Sequence, residues 1–251
     1  MRILLAIPVY NEERHLAGVL RRVLRYDNLD VLAIDDGSTD GTARVLDCFP
    51  KVRVILHLEN RGYGQSLIDA FAFAREQGYD WVITMDCDEQ HEPAQLADFV
   101  AAIRKSDADI ISGSRYLAAH AEDDAPPADR RQINQTVCLL LDQLLNLRLT
   151  DSFCGFKAHR VAALARLNLT EPGYAFPLQF WVQCVRAGLA IEELAVTRIY
   201  RDRNRRFGGT LDDPAARLQH YLEVLLTALQ AEPVAAPMPE SVPWNECCLP
   251  L

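Results

Sequence analysis

The sequence predicts an α/β fold in which a mainly parallel, twisted sheet carries helices on both of its faces. Two observations support this prediction. Short apolar runs alternate with segments of helical periodicity through the first 113 residues, and clusters of polar residues follow the apolar runs. The chain has 251 residues, 49% of them hydrophobic, which is enough for one larger domain with a substantial core.

The apolar runs predict the strands and the stripes between them predict the helices. Five strands are expected, at residues 3–9, 31–34, 52–56, 81–85 and 109–112. After the first, third and fourth runs, apolar residues recur at helical spacing, beginning at Leu16, Leu67 and Leu96. Strands that alternate with helices pair in parallel, and such sheets bind ligands beyond the carboxyl ends of their strands.

The second half of the chain is less regular. Residues 118–131 are polar and contain prolines, which predicts a surface loop, either a lid that orders on binding or plain surface. Residues 132–149 carry leucines at helical spacing and predict a helix that either packs in the core or faces lipid. A last helix is expected at 214–229, and the Pro-rich residues 231–251 are expected to form a loose tail.

Composition argues against several classes of protein. The net charge of −9 and the pI of about 5.2 do not favour nucleic acid. No run of 18 apolar residues occurs, so no transmembrane helix is expected. The first apolar run breaks at Pro8 and continues into Glu12 and Glu13, as in a core strand and not a signal peptide. Seven scattered cysteines without a Cys-x-x-Cys pair indicate reduced thiols and a cytoplasmic location.

Two acidic residues, Asp86 and Asp88, follow the fourth predicted strand. Alternate side chains of an extended backbone point the same way, so both carboxylates can face one point. Two such oxygen ligands suit Mg²⁺ or Mn²⁺, which keeps open positions for water and substrate phosphates. A bare Asp-x-Asp is usually a solvated turn, but a position at the end of a buried strand favours a metal site.

A glycine-rich phosphate loop is not expected. The first strand is not followed by G-x-G-x-x-G, the Gly62-x-Gly64 pair lacks a third glycine, and no Walker A motif occurs. A bound phosphate would therefore be held by a metal and by side chains. An arginine-rich segment offers such side chains, with a solvated basic surface as an equal alternative. It contains Arg198, Arg201, Arg203, Arg205 and Arg206.

Seven motifs in order resemble those of a known family. AIPVYNEE at 6–13, IDDGSTDGT at 34–42, NRGYGQS at 60–66 and MDCDEQHEP at 85–93 resemble the inverting family-2 glycosyltransferases of GT-A fold. DSFCGFKAHR at 151–160, GYAFPLQF at 173–180 and the arginine-rich segment resemble the polyprenyl-phosphate sugar synthases, the dolichol-phosphate mannose synthase group. The resemblance implies one GT-A, Rossmann-like domain at 1–230, with a nucleotide-binding half at 1–115 and an acceptor half at 116–230.

The resemblance also implies roles for individual residues. The nucleotide-sugar site would contain Pro8, Tyr10, Glu12, Ile34, Asp36, Asp86 and Cys87. The metal, Mg²⁺ or Mn²⁺, would be bound by Asp86, Asp88 and Gln90. The expected catalytic residues include Asp88, Arg115 and Arg205. We further expect phosphate or acceptor contacts from Arg130, Arg131, Arg201 and Arg203.

The chain departs from the family pattern at two positions. Leu211 stands where the C-terminal pattern Arg-x-x-Gly-x-Ser-Lys has its lysine, so a neighbouring arginine is expected to take over that role. Glu89 stands where the family usually has glycine or a small residue after the Asp-x-Asp.

The expected activity is transfer of a sugar, with inversion, from a GDP- or UDP-sugar to a polyprenyl phosphate. The protein is expected to be cytoplasmic or peripheral on the cytosolic face of a membrane. The oxygen of a phosphate acceptor is already anionic and needs no strong base. Two alternatives stay open: a soluble or protein hydroxyl acceptor, for which Asp151 is the first candidate base, and a non-catalytic sugar-nucleotide binder.

Overall fold

The computed structural model describes residues 1–200 and 207–232, which form one seven-stranded sheet covered by helices. The strands are β1 Ile3–Val9, β2 Asp30–Asp35, β3 Val52–Leu56, β4 Trp81–Thr84, β5 Ile110–Ser114, β6 Lys157–Arg160 and β7 Ile191–Ala195. The helices are α1 Leu16–Val23, α2 Thr42–Asp47, α3 Tyr63–Glu76, α4 Leu96–Lys105, α5 Ala128–Leu145, α6 Val161–Leu164, α7 Phe176–Arg186 and α8 Pro214–Gln230. Short 3-10 turns lie at Pro93–Gln95 and Gly209–Asp212.

The strand order in the sheet is β3-β2-β1-β4-β6-β5-β7. Neighbouring strands are parallel except at β6, which runs antiparallel to both β4 and β5. Lys157 at the start of β6 pairs with Thr84 on one side and with Ser112 on the other. The predicted mainly parallel sheet is confirmed. Strand β6 comes from the second half of the chain but lies inside the sheet, between β4 and β5.

Each face of the sheet has its own apolar layer, because strand side chains alternate between the two faces. On one face α1, α2 and α4 pack through residues such as Leu20, Leu46 and Phe99. On the other face α3 and α5 to α8 pack through residues such as Phe71 and Trp181. The predicted helices on both faces are therefore confirmed, and the loops at the strand ends are left for binding.

Helix α5 spans Ala128–Leu145, which is four residues earlier at each end than the predicted 132–149. It ends because Asn146 takes a left-handed conformation with φ of 52°, a common way for a helix to stop. Leu147 and Leu149 continue the apolar pattern but lie in the following loop, where both are buried. The apolar pattern in the sequence therefore continues past the end of the helix, because the loop residues Leu147 and Leu149 also pack in the core.

The polar loop before α5 is held to the chain that follows β7. Asp123 accepts a hydrogen bond from the backbone N–H of Arg198 and Asp124 accepts one from that of Tyr200, both at 2.8 Å. Arg198 also donates through Nε to the carbonyl of Asp124 at 2.6 Å. These bonds order the loop in this structure. Its movement as a lid stays a prediction.

Helix α8 confirms the last predicted helix at 214–229 and extends it by one residue, to Gln230. Asp213 caps it by accepting a hydrogen bond from the backbone N–H of Ala216 at 2.8 Å, and Pro214 takes the first helical position. Within residues 1–200 and 207–232, no helix combines the length and the apolar character that crossing a membrane requires.

Candidate functional site

Polar residues from neighbouring strands meet at one edge of the sheet, where the parallel strands end. Asp36 follows β2, Asp86 follows β4 and Arg115 follows β5. Strand β1 lies between β2 and β4. The carbonyl of Pro8 in β1 accepts a weak hydrogen bond from the Cys87 thiol at 3.5 Å. The first and fourth motifs of the sequence are therefore in direct contact.

The carboxylate of Asp86 is 31% exposed and its position is fixed by its neighbours. The Tyr63 hydroxyl donates a hydrogen bond to Oδ1 at 3.1 Å. Gly155 lies directly against both groups, because a Cβ added there would be only 2.6 Å from Asp86 Oδ2 and 2.8 Å from the Tyr63 hydroxyl. No real Cβ tolerates these distances, so glycine at this position provides the space that Asp86 occupies.

His91, whose role the sequence did not define, supports the loop that carries Asp86. The backbone N–H of Asp86 donates to His91 Nδ1 at 3.0 Å, and the imidazole stacks on Phe156 with ring centroids 5.2 Å apart. Burial lowers the pKa of His91 to about 4. A neutral ring can use Nδ1 as an acceptor, so the low pKa is consistent with this supporting bond.

The chain turns sharply between Asp88 and Gln90. Strand β4 ends at Thr84, so strand alternation does not set the direction of Asp88, contrary to the extended backbone expected from the sequence. Asp88 Oδ1 instead accepts a hydrogen bond from the Gln90 backbone N–H at 3.0 Å. Glu89 has φ of 60°, a conformation that glycine adopts most easily. Its carboxylate lies 3.5 Å from His15 Nδ1.

Asp86 and Asp88 fit a divalent cation by their chemistry. Both offer carboxylate oxygens, the donor type that Mg²⁺ and Mn²⁺ prefer, and the Asp86 side chain is 31% exposed. In the part of the chain that the structure describes, no group of three or more His, Cys, Asp or Glu side chains could hold a metal alone. A cation would therefore need substrate and water oxygens as further ligands. The contribution of Gln90 stays a prediction.

Asp36 organises the loop that leads into α3. Its Oδ1 accepts a hydrogen bond from the backbone N–H of Arg61 at 2.8 Å, and its Oδ2 accepts one from Gly62 at 2.9 Å. His57 lies between two carboxylates, with Nδ1 2.6 Å from Asp36 and Nε2 2.9 Å from Asp69. Burial opposes the charged imidazole, but these two carboxylates outweigh it and raise the pKa of His57 to about 9.

Two residues expected in the nucleotide-sugar site are packing residues. Ile34 is 0% exposed and Cys87 is 3% exposed, and both belong to the hydrophobic core. Their side chains pack in the core, so a contact with the nucleotide would have to come from the backbone, and the role of these two residues stays a prediction. Tyr10, by contrast, is 46% exposed. Glu12 is buried, and its backbone N–H donates to Thr42 Oγ1 at 2.9 Å.

Arg115 and Asp151 form a buried ion pair next to the site. Arg115 Nε donates to Asp151 Oδ2 at 2.6 Å and Nη2 donates to Oδ1 at 2.9 Å. Arg115 Nη1 donates to the hydroxyl of Tyr200 at 3.0 Å. Tyr200 lies within the arginine-rich segment, next to its first residue pair Arg198 and Ile199, and is the last residue described before 207. Arg115 therefore connects the end of β5 to the start of that segment.

Asp151 is fixed from several directions. Its side chain is 0% exposed, and its backbone N–H donates to Glu193 at 3.1 Å. Burial alone would raise its pKa, but the charge and hydrogen bonds of Arg115 outweigh burial, so the pKa of Asp151 lies below its usual value. A buried, ionised and fully paired carboxylate is a poor proton acceptor. This geometry argues against Asp151 as a general base, and the ion pair fixes the direction of the Arg115 guanidinium.

Arg130 and Arg131 lie in the first turns of α5, above aromatic rings. The guanidinium of Arg131 is 3.8 Å from the ring centroid of Tyr116, and that of Arg130 is 4.9 Å from the centroid of Phe207. Contacts from these arginines to a phosphate stay a prediction. The predictions for Arg201, Arg203 and Arg205 fall outside the described residues.

Arg217 is an arginine near Leu211 in the described part of the chain, and its contacts are internal, while substitution of the family lysine by a neighbouring arginine stays a prediction. Arg217 is 3% exposed, and its Nη1 donates to the carbonyl of Leu211 at 2.8 Å. Its Nη2 pairs with Asp129 at the start of α5, and its guanidinium lies 4.5 Å from the ring of Phe207. These contacts use Arg217 to join the 3-10 turn at Leu211 to α5.

Three residues that shape the site were not identified as site residues from the sequence. Tyr63 and Gly155 lie inside quoted motifs, NRGYGQS and DSFCGFKAHR, so the motifs contained the signal but not the roles. His57 had no motif of its own. Its function depends on Asp36 and Asp69, which lie 21 and 12 residues away in the sequence.

Solved structures show the fold class to which this chain corresponds. Glucosyl-3-phosphoglycerate synthase from Mycobacterium tuberculosis, in complex with Mn²⁺, UDP and glucosyl-3-phosphoglycerate, aligns with a TM-score of 0.70 and 20% identity. The alignment covers 90% of this chain and 79% of that chain. The fold is therefore the GT-A fold of glycosyltransferases, as predicted.

The sequence comparison gives the family. The model of glycosyl transferase family 2 matches residues 5–167, more than half of the chain, so the chain belongs to this family. The undecaprenyl-phosphate mannosyltransferase of Micrococcus luteus is 31% identical over 88% of this chain and 94% of that protein. The polyprenol monophosphomannose synthase of Mycolicibacterium smegmatis is 27% identical over 80% of this chain and 78% of that protein. The predicted resemblance is confirmed.

Proposed function

We propose that this glycosyltransferase moves a sugar, with inversion, from a nucleoside-diphosphate sugar to a polyprenyl phosphate. One observation carries the proposal: the partly exposed Asp86 carboxylate, held between Tyr63 and Gly155 at the carboxyl edge of the sheet. Relatives named as an undecaprenyl-phosphate mannosyltransferase and a polyprenol monophosphomannose synthase align over 88% and 80% of the chain. A UDP and Mn²⁺ complex of the structural neighbour supports a nucleotide donor and a metal.

Asp86 and Asp88 would hold the cation, with help from Gln90. When bound, Mg²⁺ or Mn²⁺ supplies positive charge that stabilises the leaving diphosphate. The chain itself fixes the geometry of this edge. Tyr63 and Gly155 set the direction of Asp86, and the Asp36 carboxylate holds the loop that carries Tyr63. Arg115 adds a fixed positive charge near the end of β5.

The burial of Asp151 and its ion pair with Arg115 favour a phosphate acceptor over a hydroxyl acceptor. A hydroxyl acceptor requires a base to remove its proton. Asp151 was the first candidate for that role, yet it is 0% exposed and ion-paired with Arg115. A phosphate monoester oxygen already carries negative charge near neutral pH, so it attacks without such a base. Transfer to a soluble or protein hydroxyl is the alternative that the experiment below separates.

We also propose that the protein acts at a membrane surface, where a polyprenyl phosphate resides. Helices α5 and α8 pack against each other and expose apolar side chains. Leu139 on α5 is 61% exposed, Leu144 on α5 is 52% exposed and Leu226 on α8 is 54% exposed. Leucines on the surface of neighbouring helices can enter the boundary region of a bilayer. This surface supports a peripheral location without a spanning helix.

A donor and acceptor panel tests the proposed function. GDP-mannose, UDP-glucose and UDP-N-acetylglucosamine are each incubated with a short polyprenyl phosphate or with soluble acceptors, in Mn²⁺ or in EDTA. We expect product with one donor class, with the polyprenyl phosphate and only when metal is present. Product on a soluble hydroxyl alone would replace the acceptor assignment. Binding of GDP or UDP without product on any acceptor would support the non-catalytic sugar-nucleotide binder, and no binding of either nucleotide would overturn the proposed donor site.

The variant Asp88→Ala tests the role of one proposed metal ligand, and a matched control variant accompanies it. We expect turnover to fall by roughly 10²-fold or more, since the variant removes one of two carboxylates at the reacting diphosphate. Asp107→Ala, at an exposed aspartate outside the site, is the control and should keep wild-type activity. Both variants should melt at the wild-type temperature. Full activity of Asp88→Ala would remove the metal role assigned to this residue.

A further inference from the structure

The first turn of α3 carries a tyrosine that reaches across to the proposed metal ligand. The Tyr63 hydroxyl donates to Asp86 Oδ1 at 3.1 Å. A Cβ added at Gly155 would lie 2.8 Å from the same hydroxyl. Gly155 therefore leaves space for Tyr63 and for Asp86 together. The hydroxyl and the carboxylate meet in a pocket that neither could enter if position 155 had a side chain.

Two glycines fix the place of Tyr63. Gly62 precedes it with φ of 102°, and a Cβ there would be 2.3 Å from the carbonyl oxygen of Pro172. Gly64 follows it, and a Cβ there would be 2.2 Å from the carbonyl oxygen of Glu171. The chain around 171–173 therefore packs directly on the first turn of α3, with no side chain between them. This contact holds Tyr63 in one direction.

The ring of Tyr63 is the first of three aromatic rings in contact. Tyr174 stacks on it, with ring centroids 5.8 Å apart and an angle of 16° between the planes. Phe207 meets Tyr174 edge-on, with centroids 5.4 Å apart. Arg130 and Arg217 both lie over the ring of Phe207, at 4.9 Å and 4.5 Å. The row of rings joins Asp86 to the start of α5 and to the turn before α8.

We propose that Tyr63 is a positioning residue for the metal ligand Asp86. We also propose that Tyr174, which contacts both Tyr63 and Phe207, couples this position to Phe207 and to Arg130 and Arg217, which lie over the Phe207 ring. The inference rests on the proposed function, because it assumes that Asp86 binds a cation. The hydrogen bond from Tyr63 fixes the rotation of the Asp86 carboxylate, whose Oδ2 lies 3.8 Å from His91 Nε2, and so sets the direction in which the carboxylate meets a cation. Partners of this kind typically change metal affinity 10- to 100-fold when they are removed.

Metal binding measured without turnover tests the first part. Free Mn²⁺ is followed by electron paramagnetic resonance while Mn²⁺ is added to the protein with UDP or GDP. Tyr63→Phe removes only the hydroxyl, and we expect the half-saturating Mn²⁺ concentration to rise about tenfold. The control is Tyr79→Phe, which removes a hydroxyl bonded to Asp30 at 2.7 Å, beyond the other end of α3. It should leave Mn²⁺ binding unchanged.

The outcomes separate the inference from the function on which it rests. If the wild-type protein binds Mn²⁺ and Tyr63→Phe binds it equally well, the positioning role is wrong and the proposed function stands. If the wild-type protein binds no Mn²⁺ with either nucleotide, the proposed metal site fails and the positioning role fails with it. Equal weakening by Tyr63→Phe and Tyr79→Phe would show a general loss of stability and would also overturn the inference.

The coupling through Tyr174 has its own pair of variants. Tyr174 is 41% exposed, so its replacement removes little core packing. Tyr174→Ala removes the stacked ring, and we expect weaker Mn²⁺ binding, by a smaller factor than in Tyr63→Phe. Tyr174→Phe keeps the ring and should restore wild-type binding. If Tyr174→Ala binds Mn²⁺ as tightly as the wild-type protein does, the coupling through Tyr174 is overturned and Tyr63 acts on Asp86 alone.

Discussion

Arg115 and Asp151 are joined by a two-point ion pair that spans 36 residues of sequence and leaves Asp151 with no exposed surface. Removal of one partner of such a pair leaves a buried charge without compensation, which is far more costly than loss of an exposed pair. The pair also fixes the direction of the Arg115 guanidinium. Stability and catalysis should therefore both depend on Asp151, for different physical reasons.

Asp151→Asn keeps the shape of the side chain and removes its charge. We expect the free energy of unfolding to fall by about 3 kcal/mol, because Arg115 loses its buried counter-charge. Activity should fall as well, since Arg115 is no longer held in place. Urea unfolding and steady-state kinetics measure the two effects. The matched control is Asp142→Asn, because Asp142 pairs with Arg148 at 3.4 Å on the surface; it should cost less than about 1 kcal/mol.

The pH profile of Asp151→Asn distinguishes positioning from base catalysis. With a positioning role, kcat/KM falls at every pH and the shape of its pH profile is retained. With a role as general base, the acidic limb of the profile would disappear in the variant. Loss of that limb would restore Asp151 as the base and would favour a hydroxyl acceptor.

Gly155→Ala should abolish most activity while the fold is kept. The added Cβ would lie 2.6 Å from Asp86 Oδ2 and 2.8 Å from the Tyr63 hydroxyl, so one of these groups must move. We expect turnover to fall by roughly 10²-fold, comparable to loss of a group that stabilises developing charge. Gly18→Ala is the control, because its Cβ would meet only Glu89 Oε1 at an ordinary 3.7 Å. Turnover assays and thermal melts compare the two. Near-wild-type turnover of Gly155→Ala would show that Asp86 needs no such space.

His57 should make stability depend on pH. The pKa of His57 is raised to about 9 in the folded protein, where Asp36 and Asp69 hold the imidazolium and Arg61 also approaches Asp69. Because this pKa lies above the unfolded value, the stabilisation is complete below about pH 6.5 and is lost as pH rises through 9. The shift corresponds to on the order of 3 kcal/mol.

His57→Asn removes that contribution. The difference in unfolding free energy between the wild-type protein and the variant should be largest near pH 6.5 and should nearly vanish above pH 9. Urea unfolding at several pH values between these limits measures it. A difference that stays constant with pH would mean that His57 is neutral in the folded protein.

The exposed leucines of α5 should control attachment to lipid. Leu139→Ser combined with Leu144→Ser removes two apolar side chains that are 61% and 52% exposed, so vesicle binding should weaken while the fold is kept. Co-sedimentation with vesicles that contain anionic lipid measures this. Leu58→Ser is the control, because Leu58 is 99% exposed but lies on neither α5 nor α8. Equal binding by all three proteins would argue against a lipid-facing role for this surface.

The sequence predicted correctly that polar residues gather at the edge of the sheet where the parallel strands end, because the signals for this are local. Asp36 and Asp86 each lie just after a predicted apolar strand, and parallel strands bring such positions to one edge. The direction of Asp88 was less predictable, since the turn at Glu89 depends on contacts with α1. Ile34 and Cys87 lay within the right motifs, but motifs do not show which side chains point into the core.

Strand β6 was not predicted, and the part of the site around Arg115 and Asp151 depends on it. Lys157 and His159 alternate with Ala158, a pattern that normally indicates solvent on one face. Both are nevertheless buried, at 6% and 2% exposed, because helices of the second half cover this face of the strand. Burial also lowers the pKa of Lys157. The pairing of Arg115 with Asp151 follows from this long-range packing, which no local pattern encodes.

The insertion of β6 between β4 and β5 also sets the order in which the sheet can be completed during synthesis. Strand β5 has β6 and β7 as its partners, and both follow it by more than 40 residues. A nascent chain that ends near residue 115 therefore exposes β5 and one edge of β4, and exposed edges pair readily with other chains. A fragment of residues 1–115 is expected to aggregate when expressed alone, although it contains Asp36, Asp86 and Asp88.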